Sequence, residues 1–223
     1  MTKVMIVNGG PRKNFNTAKM LKKAAEGAEN AGAEVEFVNL YDLSYKGCIS
    51  CLICKRKGVE QKGLCFYKDA LTPVLEKCLN ADAVIVGSPV YHSYPTGMLR
   101  SFLERFMFPA HTYMIDKEKG GVKRVLDRTL PVGVIMTMNA NEEQFKQHHY
   151  DVVLGDNERS LHAVFGYAET LYAFDTFQYT DYSKYDCDLF DPVHKAKVRE
   201  EQFPLDLQKA YEMGKRLATL NKK

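Results

Sequence analysis

Val4-Met5-Ile6-Val7 runs into Gly9-Gly10-Pro11-Arg12-Lys13-Asn14-Phe15-Asn16-Thr17, and a helical pattern follows at once. An apolar run, a glycine-bearing loop and a helix in that order form the strand–loop–helix unit of an α/β fold. The loop holds two cations with hydroxyl and amide groups. A phosphate placed there would meet free N–H groups at a helix start and the positive end of the helix dipole.

Neither Gly-x-Gly-x-x-Gly nor Gly-x-x-x-x-Gly-Lys-Ser/Thr is present. This points away from NAD-binding Rossmann domains and P-loop NTPases, and toward a phosphate loop of the flavin mononucleotide (FMN) kind. The same Gly and Pro also suit an ordinary βα turn.

Outward from this unit the chain alternates strands and helices. Leu21, Ala24, Ala25, Ala28 and Ala31 recur at helical spacing over 17–31. A second strand is expected at 35–40, and a helix at 69–79. Ala83-Val84-Ile85-Val86-Gly87 is apolar without alternation, as in a strand buried on both faces. A helix over 95–108, a strand over 130–137, a helix over 141–155, a strand over 168–174 and a closing helix over 205–220 complete the pattern. Strands alternating with helices predict a parallel sheet covered on both faces. Five strands predict the flavodoxin-like order 2-1-3-4-5, with ligand at the carboxyl ends, between strands 1 and 3. Residues 1–223 are read as one domain carrying a cysteine loop at 44–66 and an aromatic extension at 175–203. Phe177, Tyr179, Tyr182, Tyr185, Phe190 and Phe203 make that extension unlike a linker. It is expected to cover the pocket or a subunit interface, in a homodimer or larger homo-oligomer.

Composition narrows the function classes. A net charge of +3 gives no reason to expect nucleic acid, and Lys55-Arg56-Lys57 and Lys222-Lys223 read as solvated faces. No apolar stretch reaches membrane-span length, and no signal-peptide pattern opens the chain. A cytoplasmic protein without a membrane partner is expected.

The third strand ends in Gly87-Ser88-Pro89-Val90-Tyr91-His92-Ser93-Tyr94-Pro95-Thr96-Gly97, across the switch point from the first loop. Apolar and aromatic groups beside many N–H groups suit a flat heteroaromatic ring with polar edges. A proline-rich turn is the alternative. Here the chain resembles the NADPH-dependent FMN reductases and iron–sulfur flavoproteins. Gly10-Pro11-Arg12-Lys13-Asn14-Phe15-Asn16-Thr17 is similar to their Gly-Ser-Pro-Arg-x-x-Gly-Asn-Thr phosphate loop. Ser88-Pro89-Val90-Tyr91 matches their isoalloxazine loop, followed by Thr96-Gly97 and Arg100-Ser101-Phe102-Leu103-Glu104-Arg105.

The resemblance implies FMN bound by Gly10, Arg12, Asn14, Asn16 and Thr17 at the phosphate, and by Ser88, Pro89, Val90, Tyr91 and His92 at the ring. Thr137, Met138 and Asn139 stand where a glycine-rich flavin-edge turn is common. Gly10 replaces the usual Ser and Phe15 a usual Gly. The implied activity passes reducing equivalents from NAD(P)H to a small acceptor: a quinone, a nitro or azo aromatic, or flavin. Tyr91 and His92 would face that acceptor. The second reading is an electron-transfer flavoprotein serving a protein partner. Flavin chemistry needs no catalytic triad, because the cofactor carries the redox step.

Six cysteines in a reducing compartment need a reason other than disulfides. Cys48, Cys51 and Cys54 are spaced C-x2-C-x2-C, with Cys65 further on. Four thiolates can ligate a [4Fe–4S] cluster or Zn²⁺. Cys65 lies beyond the compact spacing of the resembled iron–sulfur flavoproteins, and a metal-free loop is the favoured expectation. Cys78 and Cys187 read as structural.

Overall fold

The computed structural model describes residues 1–60, 62–118 and 120–220; Lys222-Lys223 lies outside them. In chain order the elements are β1 (Thr2–Asn8), α1 (Asn16–Asn30), β2 (Ala33–Asn39), α2 (Thr72–Asn80), β3 (Ala83–Tyr91), β4 (Tyr94–Pro95) and α3 (Gly97–Ala110). There follow β5 (Val132–Thr137), α4 (Glu142–Gln147), α5 (Tyr150–Phe165), β6 (Ala168–Ala173), α6 (Pro192–Glu201) and α7 (Phe203–Leu217).

The main strands are all parallel, in the order β2-β1-β3-β5-β6. With the two-residue β4 set aside, this is the flavodoxin-like 2-1-3-4-5 order. β4 departs from it: it returns antiparallel onto the end of β3, pairing Val90 with Pro95 and Tyr91 with Tyr94. The turn that closes it puts His92 and Ser93 at positive φ.

The unbroken apolar run of β3 is explained by cover on both faces. Val84 and Val86 enter the core with Phe102, Phe106 and Phe165, while Ala83 and Ile85 enter the core with Met20, Leu21, Met213 and Leu217. Phe106 stacks on Phe165 at 4.4 Å. On the second face α1 and α7 approach until backbones touch. A Cβ on Gly27 would lie 2.0 Å from the Tyr211 carbonyl oxygen, and one on Gly214 would lie 1.8 Å from that of Ala24. Only glycine permits that approach.

Three local expectations are corrected. The helix expected at 69–79 begins at Thr72, with Pro73 in its first turn; the Asp69 carboxylate instead accepts from Leu71 N–H at 2.9 Å. The helix expected at 95–108 begins at Gly97, because Tyr94 and Pro95 form β4 and Thr96 Oγ1 caps it by accepting from Leu99 N–H at 3.2 Å. The helix expected at 141–155 is two helices, broken at His149 with φ 55°. Within the 175–203 extension, Asp191 caps α6.

Candidate functional site

The first loop is fixed from below. Asn8, fully buried at the end of β1, donates from Nδ2 to the Gly10 carbonyl and to Asn39 Oδ1, and accepts from Gly10 N–H at 3.0 Å. Gly9 N–H donates to the Gly87 carbonyl at 2.7 Å, and Thr96 Oγ1 donates to the Gly9 carbonyl at 2.6 Å. The two loops named from sequence are therefore stitched together. Thr17 and Thr137 share a hydroxyl–hydroxyl hydrogen bond of 2.7 Å, which joins the third loop to them.

Between these loops opens a cavity of about 800 Å³. Gly10, Arg12, Asn16 and Thr17 line it from the first loop, Pro89, Val90, Tyr91 and His92 from the second, and Thr137, Met138 and Asn139 from the third. It lies at the carboxyl ends of β1, β3 and β5, where α/β sheets hold ligands. Two expected residues stand outside it. Asn14 is exposed and accepts from Lys22 Nζ at 2.8 Å. Ser88 is buried; its hydroxyl accepts from Thr96 N–H at 2.9 Å and donates to the Pro89 carbonyl at 2.7 Å, which shapes the loop from behind.

Residues after β6 complete the wall: Thr176, Phe177, Gln178, Tyr179, Thr180 and Tyr185. Arg12 Nη1 donates to the Gln178 carbonyl, and Asn16 Nδ2 to that of Phe177, both at 2.6 Å. Asn139 Nδ2 donates to Gln178 Oε1 at 2.7 Å. The Tyr179 and Tyr185 rings stack 4.1 Å apart, and the Arg12 guanidinium lies 3.6 Å from the centre of the Phe15 ring. Burial lowers the pKa of Arg12, against opposing effects of Tyr91, Tyr182 and Tyr185; the guanidinium remains a cation.

Sequence reasoning placed aromatics here but missed what anchors them. Lys195 of α6 is 2% exposed. Its Nζ donates to the Asn139 carbonyl at 2.8 Å and to the Asp175 carboxylate. Asp175, at φ 55°, also meets His194 Nε2 at 2.6 Å. A lysine in a polar segment carries no signal of burial until the chain is folded. Arg199, also missed, donates to Asn16 Oδ1 at 3.1 Å.

These residues fit FMN. The volume is that of a small-molecule site. Asn139 Oδ1 is buried without a hydrogen-bond partner among the described residues, an acceptor at the cavity wall. A Cβ on Gly10 would come within 3.2 Å of Asn8 Oδ1 and Pro89 Cδ, so the glycine leaves backbone accessible to a phosphate.

A second, separate cavity gathers Cys48, Cys51, Cys54 and Cys65 with Glu104, Arg105 and Phe108. Cys48 and Cys51 are exposed, Cys65 half-buried and Cys54 buried. Burial raises the Cys54 pKa, Lys55 opposes it, and Cys65, Cys51 and Cys48 add to the rise. Among the described residues no three His, Cys, Asp or Glu side chains sit together as ligands of a single metal ion. The enclosed space is about 10 Å³, room for one water. Ser50 and Leu52, at φ 55° and 57°, belong to the exposed turn that closes it. Cys78 is fully buried on α2. No helix among the described residues is long and apolar enough to cross a membrane.

The geometry agrees with comparisons to known proteins. The chain is 28% identical over 167 residues to an iron-sulfur flavoprotein of Methanocaldococcus jannaschii, covering 72% of this chain and 79% of the relative. It is 36% identical over 103 residues to an iron-sulfur flavoprotein of Archaeoglobus fulgidus, covering 46% of this chain and 48% of the relative. Among solved structures, an NAD(P)H:quinone oxidoreductase from Methanothermobacter marburgensis superposes with a TM-score of 0.64 at 17% identity, covering 97% of this chain and 96% of that one. An azoreductase from Bacillus anthracis superposes with a TM-score of 0.65 at 16% identity, covering 97% of this chain and all of that one. Those two similarities establish the fold. Residues 2–139, which carry the 9–17 loop, the 88–97 loop and the 137–139 turn, match the NADPH-dependent FMN reductase family, and the chain belongs to that family of flavin oxidoreductases.

Proposed function

We propose that this chain takes reducing equivalents from NAD(P)H and passes them to a small acceptor, a quinone, a nitro or azo aromatic, or free flavin. The observation that carries the reading is the 800 Å³ cavity, where three loops and an aromatic wall converge. Bound there, FMN would supply hydride and electron transfer. The protein's part is to hold and cover it. Gly10, Arg12, Asn16 and Thr17 offer the phosphate donors; Tyr91 and His92 form the rim toward the acceptor; the 176–185 wall limits water. Two solved structures of the same fold are named for quinone and azo substrates, which supports an acceptor of that class.

The test is direct. Titration of the apoprotein with FMN, followed by oxidation of NADPH or NADH with a benzoquinone, an azo dye or free FMN as acceptor, should give FMN-dependent turnover. No FMN binding, or binding without turnover on any of the three, overturns the reading. A homodimer is part of the same proposal. Tyr113, Met114 and Ile115 are more than 60% exposed, an apolar strip suited to cover by a second copy. A monomeric mass by light scattering at micromolar concentration excludes it.

A specific observation favours a second cofactor. Cys48, Cys51, Cys54 and Cys65 converge on one cavity although ten residues separate the last two. The quoted curated relatives are named iron-sulfur flavoproteins. Zinc needs four ligands within about 2.3 Å of one point. A [4Fe–4S] cluster instead takes its four thiolates around a larger body. A cluster held by these four cysteines would supply single-electron transfer. Iron and acid-labile sulfide on anaerobically prepared protein decide between a cluster, zinc and neither.

A further inference from the structure

The cysteine cavity has a feature that thiol ligation leaves unexplained. Arg105, on α3, is 1% exposed and lines it. Its Nη1 donates to the Asp69 carboxylate at 2.6 Å and to the Lys46 carbonyl at 3.1 Å, and Nη2 donates to the Tyr67 carbonyl at 2.7 Å. Its Nε–H, equally buried, completes no hydrogen bond of good geometry among the described residues, and the Cys65 side chain is the thiol that interacts with the guanidinium. A buried donor left unmade costs about 1–3 kcal/mol, more on a charged group, so such a group calls for a partner.

Asp69 does not explain the missing bond, because it is engaged through Nη1. Four thiolates, alone or around a cluster, are anionic. Hydrogen bonds to the sulfurs and nearby charge are what set a cluster's potential. A second cation lies close by. Lys55 follows Cys54 directly, and its Nζ donates to the Phe108 and His111 carbonyls, so it is fastened to the end of α3. Phe108, like Arg105, lines the cysteine cavity.

We propose that Arg105 is the charge-compensating positioning residue of the four-cysteine centre, its unpaired Nε–H reserved for a sulfur acceptor, with Lys55 as the second fixed cation. This rests on the cluster reading above. Asp69 and the two carbonyls hold the guanidinium in place whether or not the centre is filled, so the donor is preorganised. The consequence is a cluster whose reduced, more negative state is stabilised by the Nε–H donor and by Lys55, while Asp69 offsets part of the Arg105 charge and Glu104, which also lines the cavity, adds a negative one.

The experiment is a dye-mediated redox titration read by electron paramagnetic resonance. It uses anaerobically reconstituted full-length protein in the wild type and in Arg105→Gln, Arg105→Lys and Lys55→Met. FMN content and circular dichroism serve as controls for folding. The expected result for Arg105→Gln is a midpoint lowered by about 59 mV, a tenfold change in a one-electron equilibrium. Lys55→Met is expected to lower it less, and Arg105→Lys to keep the charge but change the signal shape. Loss of iron with wild-type FMN content in Arg105→Gln also supports the proposal. If Arg105→Gln does not fold, Arg105→Lys and Lys55→Met decide. Wild-type potential and signal in the folded variants overturn the proposal and leave the cluster reading intact. Wild-type protein that takes up no iron and sulfide overturns both.

Discussion

Arg12 Nη1 donates to the Gln178 carbonyl at 2.6 Å, joining residues 166 positions apart in the chain. The cation of the 9–17 loop, the proposed phosphate loop, thus also fastens the aromatic wall. One residue serves two ends of the same ligand site, so its removal should be felt at both.

Arg12→Ala should weaken FMN about tenfold or more, since a hydrogen bond to a charged group contributes about 1.5–3 kcal/mol. It should also speed proteolysis within 176–185, because the wall loses an anchor. Fluorescence quenching of FMN measures the first effect and limited proteolysis of the apoprotein the second. Unchanged affinity would remove Arg12 from the phosphate site.

Tyr91→Ala should shift the visible spectrum of the bound flavin and lower turnover more than it lowers FMN affinity. Tyr91 is 46% exposed at the cavity rim, so little stability depends on it. An unchanged spectrum together with unchanged turnover would place the ring elsewhere.

Lys195→Met should loosen the 137–139 turn. The variant leaves the Asp175 carboxylate with only His194 and strands the Asn139 carbonyl. Breaking a buried ion pair from one side costs about 3–5 kcal/mol. Chemical denaturation should show that loss, and flavin should bind more weakly to the folded fraction. Wild-type stability in Lys195→Met would mean the pair is not buried as described.

Gly214→Ala should destabilise the fold by about 1–3 kcal/mol or more, because a Cβ there must displace the Ala24 backbone. At about 2–4 °C per kcal/mol for a chain of this size, the melting temperature should fall visibly. A neutral effect would mean that α1 and α7 can separate without loss.

Acid should act through Asp69. Burial works to raise its pKa, but hydrogen bonds from Arg105 and from the Lys46 and Leu71 N–H groups outweigh it and hold the folded value low. A depressed carboxylate contributes stability that is complete above its unfolded pKa of about 3.9 and is lost as pH falls through the lower folded value. Asp69→Asn should therefore be less stable at pH 7 and lose less stability between pH 5 and pH 3 than the wild type. Parallel stability curves for the two proteins would refute this.

The sequence by itself determined the architecture and most of the lining of one candidate site. Apolar runs such as 83–87, bounded by glycine-bearing loops and alternating with helical periods, point to a covered parallel sheet; two strand ends then mark where a ligand is expected. Gly10, Thr17, Tyr91 and Asn139 were legible because strand–loop–helix chemistry is local. Asn14 and Ser88 belong to the same motifs, yet local order does not say which way a side chain turns, and the fold points both away from the cavity.

Only the tertiary structure brought Lys195 under the 137–139 turn, Gln178 onto Arg12, and Cys65 beside Cys54. These pairings join distant segments through single side chains, and no period or spacing encodes them. The unpaired Arg105 Nε–H is of the same kind. A sequence shows that an arginine is present, while burial against Asp69, Tyr67 and Lys46 decides which of its donors is left free.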